Sequence, residues 1–357
     1  MSFKKLLVNQ VENAWYGGSQ WSRVLAPLLP LYKHSAIKAK VRGQLAARAC
    51  SLNIPIIVVG NITAGGTGKS PVVTKLAQEL VKSGYQPGIL SRGYAAKLED
   101  TSYLVSSDDS ADYVGDEPLM MALSLPNIPV VVDRDRLRGA QYLQQTSSVD
   151  VIICDDGLQH YRLPRDIEIA VLDSERGVGN GYLIPVGPLR EPVERLDSVD
   201  YVLSNGSTSN LPKELIASID YEFDICPKAW WRIKTSERIA LEGTAIHANE
   251  VNTKEVLAIS GIGNPKRFHK SLQALGLKPI VVNFPDHHKF TSSDFVNAKK
   301  QAKSVDTPIV MTAKDAVKCI SFAEPDWFAL EIEAALPEQL LKDILVKLHQ
   351  IKSKKEN

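Results

Sequence analysis

The chain has 357 residues, enough for two domains with separate cores, and its hydrophobic and charged fractions are those of a soluble globular protein. Its four cysteines, Cys50, Cys154, Cys226 and Cys319, show neither disulfide nor metal-ligand spacing, which excludes a disulfide scaffold and points to a reducing compartment. Net charge is only +1, but residues 1–50 hold eight Lys/Arg against a single acid, Glu12, so +7 sits at the N-terminus and −6 on the remainder.

Within residues 1–50, Phe3, Leu6, Leu7, Trp15, Tyr16 and Trp21 punctuate the basic start, and residues 24–31 are apolar but interrupted by Pro27 and Pro30. No run approaches the ~20 apolar residues that span a bilayer, and the apolar core of a secretory signal is missing. Two readings stay open for this segment. One is an amphipathic helix or hairpin in a membrane interface, with Trp and Leu inserted and Lys/Arg on lipid phosphates. The other is a helix packed on the body with a solvated basic face. Nucleic acid ranks lower, because no recognition motif accompanies the charge.

Residues 54–59 form a continuous apolar run, rich in β-branched residues, that reads as a buried strand. A glycine-rich turn follows and ends on Gly68-Lys69-Ser70, after which the pattern from Val72 to Lys82 is helical. Strand, glycine turn and helix in that order make a phosphate cradle. Glycines let backbone N–H groups close on an anion, and the helix start adds its dipole. Thr63, Ala64, Gly65, Gly66, Thr67, Gly68, Lys69 and Ser70 are the expected nucleotide-binding residues, with Lys69 on the β- and γ-phosphates and the Ser70 hydroxyl on Mg²⁺. Thr63 stands where the strict pattern has its first glycine.

Strand–helix alternation continues through about residue 215. Asp108, Asp109 and Asp112 read as solvated loop acids, and Asp116-Glu117-Pro118 as a helix start with Asp116 as N-cap. The run Val151–Cys154 ends in Asp155-Asp156; a strand beside the cradle strand often ends in an aspartate that supports the metal. Residues 174–192 carry four glycines and three prolines, a loop long enough to be functional or disordered. Beyond it, residues 219–225 and 231–233 alternate weakly and read as a short two-stranded connector, after which alternation resumes to the C-terminus. Gly261-Ile262-Gly263 lacks the third glycine of a dinucleotide fingerprint, and Asp286-His287-His288 reads as a catalytic or orienting histidine rather than a metal site. The pattern predicts an α/β protein with mostly parallel sheets. Its parts are a basic helical segment at 1–50, a P-loop lobe at 51–215, a β-linker at 216–240 and a second α/β lobe at 241–357.

The ordered set Gly65-Gly66-Thr67-Gly68-Lys69-Ser70, Ser91-Arg92-Gly93-Tyr94, Gly115-Asp116-Glu117-Pro118, Asp155-Asp156-Gly157-Leu158-Gln159-His160, Pro188-Leu189-Arg190-Glu191, Asp286-His287-His288 and Thr312-Ala313-Lys314-Asp315 resembles the tetraacyldisaccharide 4'-kinase family, the lipid A 4'-kinases of Gram-negative bacteria. The resemblance covers nearly the whole chain. Thr63 agrees with the family, whereas Ala313 stands where a glutamate is expected. The resemblance implies two α/β lobes joined by a small β-linker, ATP on the N-terminal lobe, and an N-terminal helical element on the cytoplasmic face of the inner membrane. It also implies a tetraacylated glucosamine disaccharide 1-phosphate as acceptor, with no nucleic acid and no obligate protein partner. By the same resemblance Asp116 is the general base and His287 its partner, and Ser70, Asp155 and Glu191 serve Mg²⁺. Glu117, Asp156, Gln159, His160 and Arg190 would support the site or line its substrate side. A P-loop nucleotide switch at the membrane surface is the alternative reading.

Overall fold

In the computed structural model, residues 3–50, 52–94, 96–98, 100–241, 254–302 and 307–356 are described, with side chains from residue 10 onward. The side chains of Phe3, Leu6 and Leu7 therefore lie outside the described residues. The strands of the first lobe are β1 (Ile56–Gly60), β2 (Pro87–Ser91), β3 (Tyr103–Leu104), β4 (Val130–Val132), β5 (Val151–Asp155), β6 (Ile167–Asp173) and β7 (Tyr201–Asn205). Then come β8 (Tyr221–Arg232), β9 (Glu237–Ala240), β10 (Glu255–Ser260), β11 (Lys278–Asn283), β12 (Ile309–Thr312) and β13 (Trp327–Ala335).

Their spatial order is β11-β10-β12-β13-β8-β7-β6-β1-β5-β2-β4-β3, with β9 added beside β8. Pairing is parallel except for β3 on β4, β8 on β13 and β9 on β8. A mostly parallel sheet needs cover on both faces, and β1 shows how the sequence supplies it. Ile57 and Val59 join Val72, Val73, Leu76 and Leu80 of the helix Lys69–Lys82. Ile56 and Val58 point the other way, onto Leu137, Ala140 and Leu143 of the helix Arg136–Thr146.

The expected connector differs in detail. Its two apolar stretches are one twelve-residue strand, β8, and do not pair with each other. Tyr221–Phe223 run parallel to β7, and Asp224–Arg232 run antiparallel to β13. Pro227, which would interrupt an ordinary central strand, sits where the β8–β13 register shifts, a position that tolerates a missing N–H. The hairpin partner of β8 is β9 instead. The two lobes thus share one continuous sheet path, and the end of the expected linker abuts residues 242–253, outside the described residues.

The N-terminal segment folds as a helix Phe3–Tyr16, a 3-10 stretch Trp21–Leu28 and a helix Leu29–Arg48. One side docks on the body: the Tyr32 hydroxyl donates to Arg190 O at 2.9 Å. Gly43 lies so close that a methyl group there would fall 2.6 Å from Tyr161 Cβ. The opposite side is apolar and open, with Val24 74%, Ile37 62%, Val41 50% and Leu45 60% exposed. Lys33, Lys38 and Arg42 are exposed beside it. The reading of a helix packed on the body holds for the docked face. Among the described residues no helix is long and apolar enough to cross a membrane.

Candidate active site

The cradle is set by β1 and held from behind. Asn61 Nδ2 donates to Gly65 O at 3.2 Å, and Asn205 Nδ2, at the end of β7, donates to Thr67 O at 3.0 Å. Gly65 and Gly68 take φ of 107° and 99°, in the region glycine alone enters freely. The helix then starts at Lys69. Residues 65–70 line a cleft of about 1270 Å³ between the lobes. Thr63 and Ala64 do not line it. Thr63 is buried in a bridge to Leu189, and the Ala64 N–H is taken by Pro188 O at 2.8 Å.

Asp155 ends β5, the neighbour of β1, and Ser70 Oγ donates to its Oδ2 at 3.5 Å. Its other oxygen is buried with no hydrogen-bond partner. Burial pushes the Asp155 carboxyl up to about 7, with Glu117 and Asp156 adding to the rise and Lys69 opposing it. A buried carboxylate with an unmet oxygen beside a hydroxyl fits a divalent cation, which would satisfy both the geometry and the charge. Asp156 is different. Burial alone would raise its pKa, but Lys69 at 3.4 Å and Arg190 at 3.1 Å hold it well below the carboxylate range. The Arg190 guanidinium also donates to Gln159 Oε1 at 3.3 Å.

Glu191, expected with Ser70 and Asp155, is not brought to them. It accepts from Gln159 Nε2 at 2.9 Å and from the Tyr161 hydroxyl, and Arg195 Nε lies 3.8 Å away. Both carboxylate oxygens are thus engaged, by Gln159 and Tyr161. His160 is also withdrawn: burial and then the charges of Arg136 and Arg92 push it down to about 3, leaving it neutral. Among the described residues no group of three or more His, Cys, Asp or Glu side chains gathers as a metal site.

Across the cleft, Asp116 is the first residue of the helix Asp116–Ser124, and Gly115, at φ 98°, occupies the N-cap in its place. The N-cap reading of Asp116 is thus corrected, and its two oxygens have different partners. Oδ1 accepts from Glu117 N at 3.0 Å, within the helix start. Oδ2 lies 3.0 Å from His287 Nδ1, on the turn after β11. His287 holds a left-handed φ of 57°, uncommon for a side chain with a Cβ, and its ring lies 4.7 Å from that of Tyr94. Burial would raise Asp116, but the His287 hydrogen bond and the charges of Lys314 and His287 outweigh it and hold the carboxyl low. The hydrogen bond to Asp116 raises His287 in turn. His288 diverges, stacking on Phe284 and meeting Asp294 Oδ2 at 3.2 Å.

A family model described as tetraacyldisaccharide-1-P 4'-kinase matches residues 21–349. The chain belongs to that family. The kinase is 42% identical over 328 residues to the tetraacyldisaccharide 4'-kinase of Legionella pneumophila (strain Corby), covering 91% of this chain and 93% of the relative. It is 40% identical over 334 residues to the enzyme of that description from Pseudomonas putida (strain W619), covering 92% of each. Its fold is similar to the crystal structure of LpxK from Aquifex aeolicus in complex with ATP, with TM-score 0.68 and 27% identity, covering 92% of this chain and 99% of that one.

Two residues of the kinase received no role from the sequence. Lys314 reaches Glu117 at 2.9 Å and Asp286 at 3.8 Å, which together outweigh its burial and keep it charged beside Asp116. Asp315 holds its backbone in place by accepting from Gly261 N and the Thr312 hydroxyl, at 2.9 and 2.7 Å. Ala313 is buried at the start of this short helix. Arg136 is the second of these residues. It is 2% exposed, with Nη1 on Asp133 O at 2.5 Å and Nε and Nη2 without hydrogen-bond partners. It lines a second cavity, about 310 Å³, with Gln159 and His160 and beneath Ala39 and Gly43 of the N-terminal segment. The signal available was an Asp-Arg-Asp-Arg run directly after a buried strand.

Proposed function

We propose that the kinase transfers the γ-phosphate of ATP to the 4'-hydroxyl of a tetraacylated glucosamine disaccharide 1-phosphate, with Asp116 receiving the hydroxyl proton. The observation that carries this reading is the Asp116–His287 pair at 3.0 Å, whose histidine lines the same cleft as the cradle. The hydroxyl oxygen attacks Pγ, the bond from Pγ to the β,γ-bridging oxygen breaks, ADP leaves, and the proton passes to Asp116 Oδ2. A carboxylate held this low is a weak base. That suits a loose phosphoryl transfer, where the proton departs late and alignment of the nucleophile contributes most. His287 fixes which oxygen of Asp116 faces the acceptor. Lys69 and the cradle N–H groups neutralise the β/γ-phosphates, and Lys314 adds positive charge from the other lobe. Ser70 and Asp155 would hold Mg²⁺, which when bound supplies charge neutralisation between the phosphate oxygens.

The cationic cavity lined by the buried Arg136 fits the anionic end of such an acceptor. Labelled ATP should therefore pass its label to the disaccharide 1-phosphate in mixed micelles, and much less efficiently to a disaccharide lacking the 1-phosphate. ATP hydrolysis without any label in lipid would sink the reading in favour of a nucleotide switch.

The kinase acts as a peripheral protein on the cytoplasmic face of the inner membrane. Support comes from the open apolar strip Val24, Ile37, Val41 and Leu45 with its basic border. Burying such side chains in an interface contributes on the order of 1 kcal/mol each, and the cations add attraction to anionic lipid. Ile37→Glu/Val41→Glu/Leu45→Glu should weaken binding to phosphatidylglycerol-containing vesicles by about 10²-fold. Its melting temperature should match the parent. Unchanged vesicle binding in a sedimentation assay would remove this face from the membrane contact.

A further inference from the structure

The loop 174–192 supports the cradle from outside, through Pro188 O on Ala64 N at 2.8 Å and Arg190 N on Ile62 O at 2.7 Å. It also grips the end of the first helix, through Asn180 N on Trp15 O at 2.9 Å and Asn180 Nδ2 on Ala14 O at 3.1 Å. One side chain of this loop reaches further. Arg176 Nη2 donates to Gly263 O at 3.1 Å, on the turn after β10 in the second lobe. It also lies 3.4 Å from Glu12 Oε1 on the N-terminal helix. The guanidinium lies 5.2 Å from the centre of the Tyr16 ring, and the Tyr16 hydroxyl donates to Ala64 O at 3.3 Å. Nη1 is turned toward the cradle: a methyl added at Gly65 would sit 3.4 Å from it.

We infer that Arg176 is a positioning residue for ATP, fastening the second lobe and the end of the N-terminal helix to the phosphate cradle. The inference rests on the proposed nucleotide site. Two further ties join the lobes on this side, Arg267 to Asp173 at 2.7 Å and Lys270 to Glu175 at 2.8 Å, but neither reaches the cradle glycines or the N-terminal helix. The geometry requires arginine. A planar guanidinium lies over Tyr16 while one nitrogen reaches Gly263 and the other is turned toward Gly65; an ammonium is a single point and cannot span this arrangement. With the turn at Gly263 held, the cleft keeps its width over the cradle, so the residue acts on nucleotide affinity more than on the chemical step.

The test is steady-state kinetics of Arg176→Gln and Arg176→Lys, varying ATP and acceptor separately, with melting temperatures measured alongside. Both variants should raise the KM for ATP about tenfold, with kcat within about threefold of the parent and the acceptor KM unchanged. An ATP KM within about twofold of the parent in Arg176→Gln would overturn the inference, as would full rescue by Arg176→Lys, which would leave charge as the sole contribution. A loss confined to kcat would overturn it as well. If Arg176→Gln does not fold, Arg176→Lys decides alone: a raised ATP KM supports the role and a parental one refutes it. Absence of ATP use by the parent would sink the proposed function and the inference together, whereas a normal variant sinks the inference only.

Discussion

Asp116→Ala is expected to lower turnover by about 10²–10⁴-fold, the range typical of losing a positioned general base. The KM for ATP should stay within a few-fold, because Asp116 touches His287 and its own helix start and makes no contact with the cradle. His287→Ala should reduce turnover less, and the double variant should be no worse than Asp116→Ala, since the histidine acts through the carboxylate. Additive losses in the double variant would give His287 an independent role. The pair also makes a pH-dependent contribution to stability. Asp116 is lowered on folding, so its share is lost as pH falls through its folded value. His287 is raised, so its share is full below its ordinary value of 6.5 and is lost as pH rises through the folded value. The melting-temperature gap between the parent and Asp116→Asn should therefore be widest from mildly acid pH to near 6.5 and narrow towards pH 9. A gap that widens with alkali would contradict the assigned ion pair.

Gly68→Ala should abolish measurable ATP binding and destabilise the kinase. Gly68 sits at φ 99°, where an L-residue costs roughly 1–2 kcal/mol. The added methyl would fall 2.6 Å from Asn205 Nδ2 and 2.9 Å from Ile225 Cδ1. Overpacking of this kind costs typically about 1–3 kcal/mol. Asn205 cannot retreat without releasing Thr67 O, which it holds at 3.0 Å. Relief must come from the cradle, whose N–H groups then lose their common focus. The expected loss is about 2–5 kcal/mol of stability, read as a lower melting temperature, together with ATP affinity reduced beyond about 10²-fold. Gly66→Ala is the control: open space surrounds that position, and its effect on stability should be small. Parental ATP affinity in Gly68→Ala would mean that the turn does not hold the phosphates.

Much of this site was legible in the sequence because its parts are local. A β-branched run, a glycine turn and a helix start are set by neighbouring residues, and the structure has them at Ile56–Gly60, Gly65–Gly68 and Lys69. Asp155 followed from its position at the end of a buried run, because parallel strands deliver their carboxyl ends to one edge. Asp116 was read from local pattern only as a cap, since a carboxylate in a first helical turn has a sufficient local explanation.

What the sequence by itself determined was the alternating α/β architecture, the cradle with Lys69 and Ser70, and the carboxylate beside it. Tertiary structure alone decided which groups meet. Asp116 and His287 are 171 positions apart and join only because β8 carries the sheet from one lobe into the other. Glu191 reads as a candidate ligand beside Arg190, yet Tyr161 and Gln159 take its oxygens. Thr63 and Ala64 belong to the glycine-rich stretch, yet Leu189 and Pro188 claim them. Backbone pattern depends on near neighbours, whereas the availability of a given oxygen or N–H depends on every element packed around it.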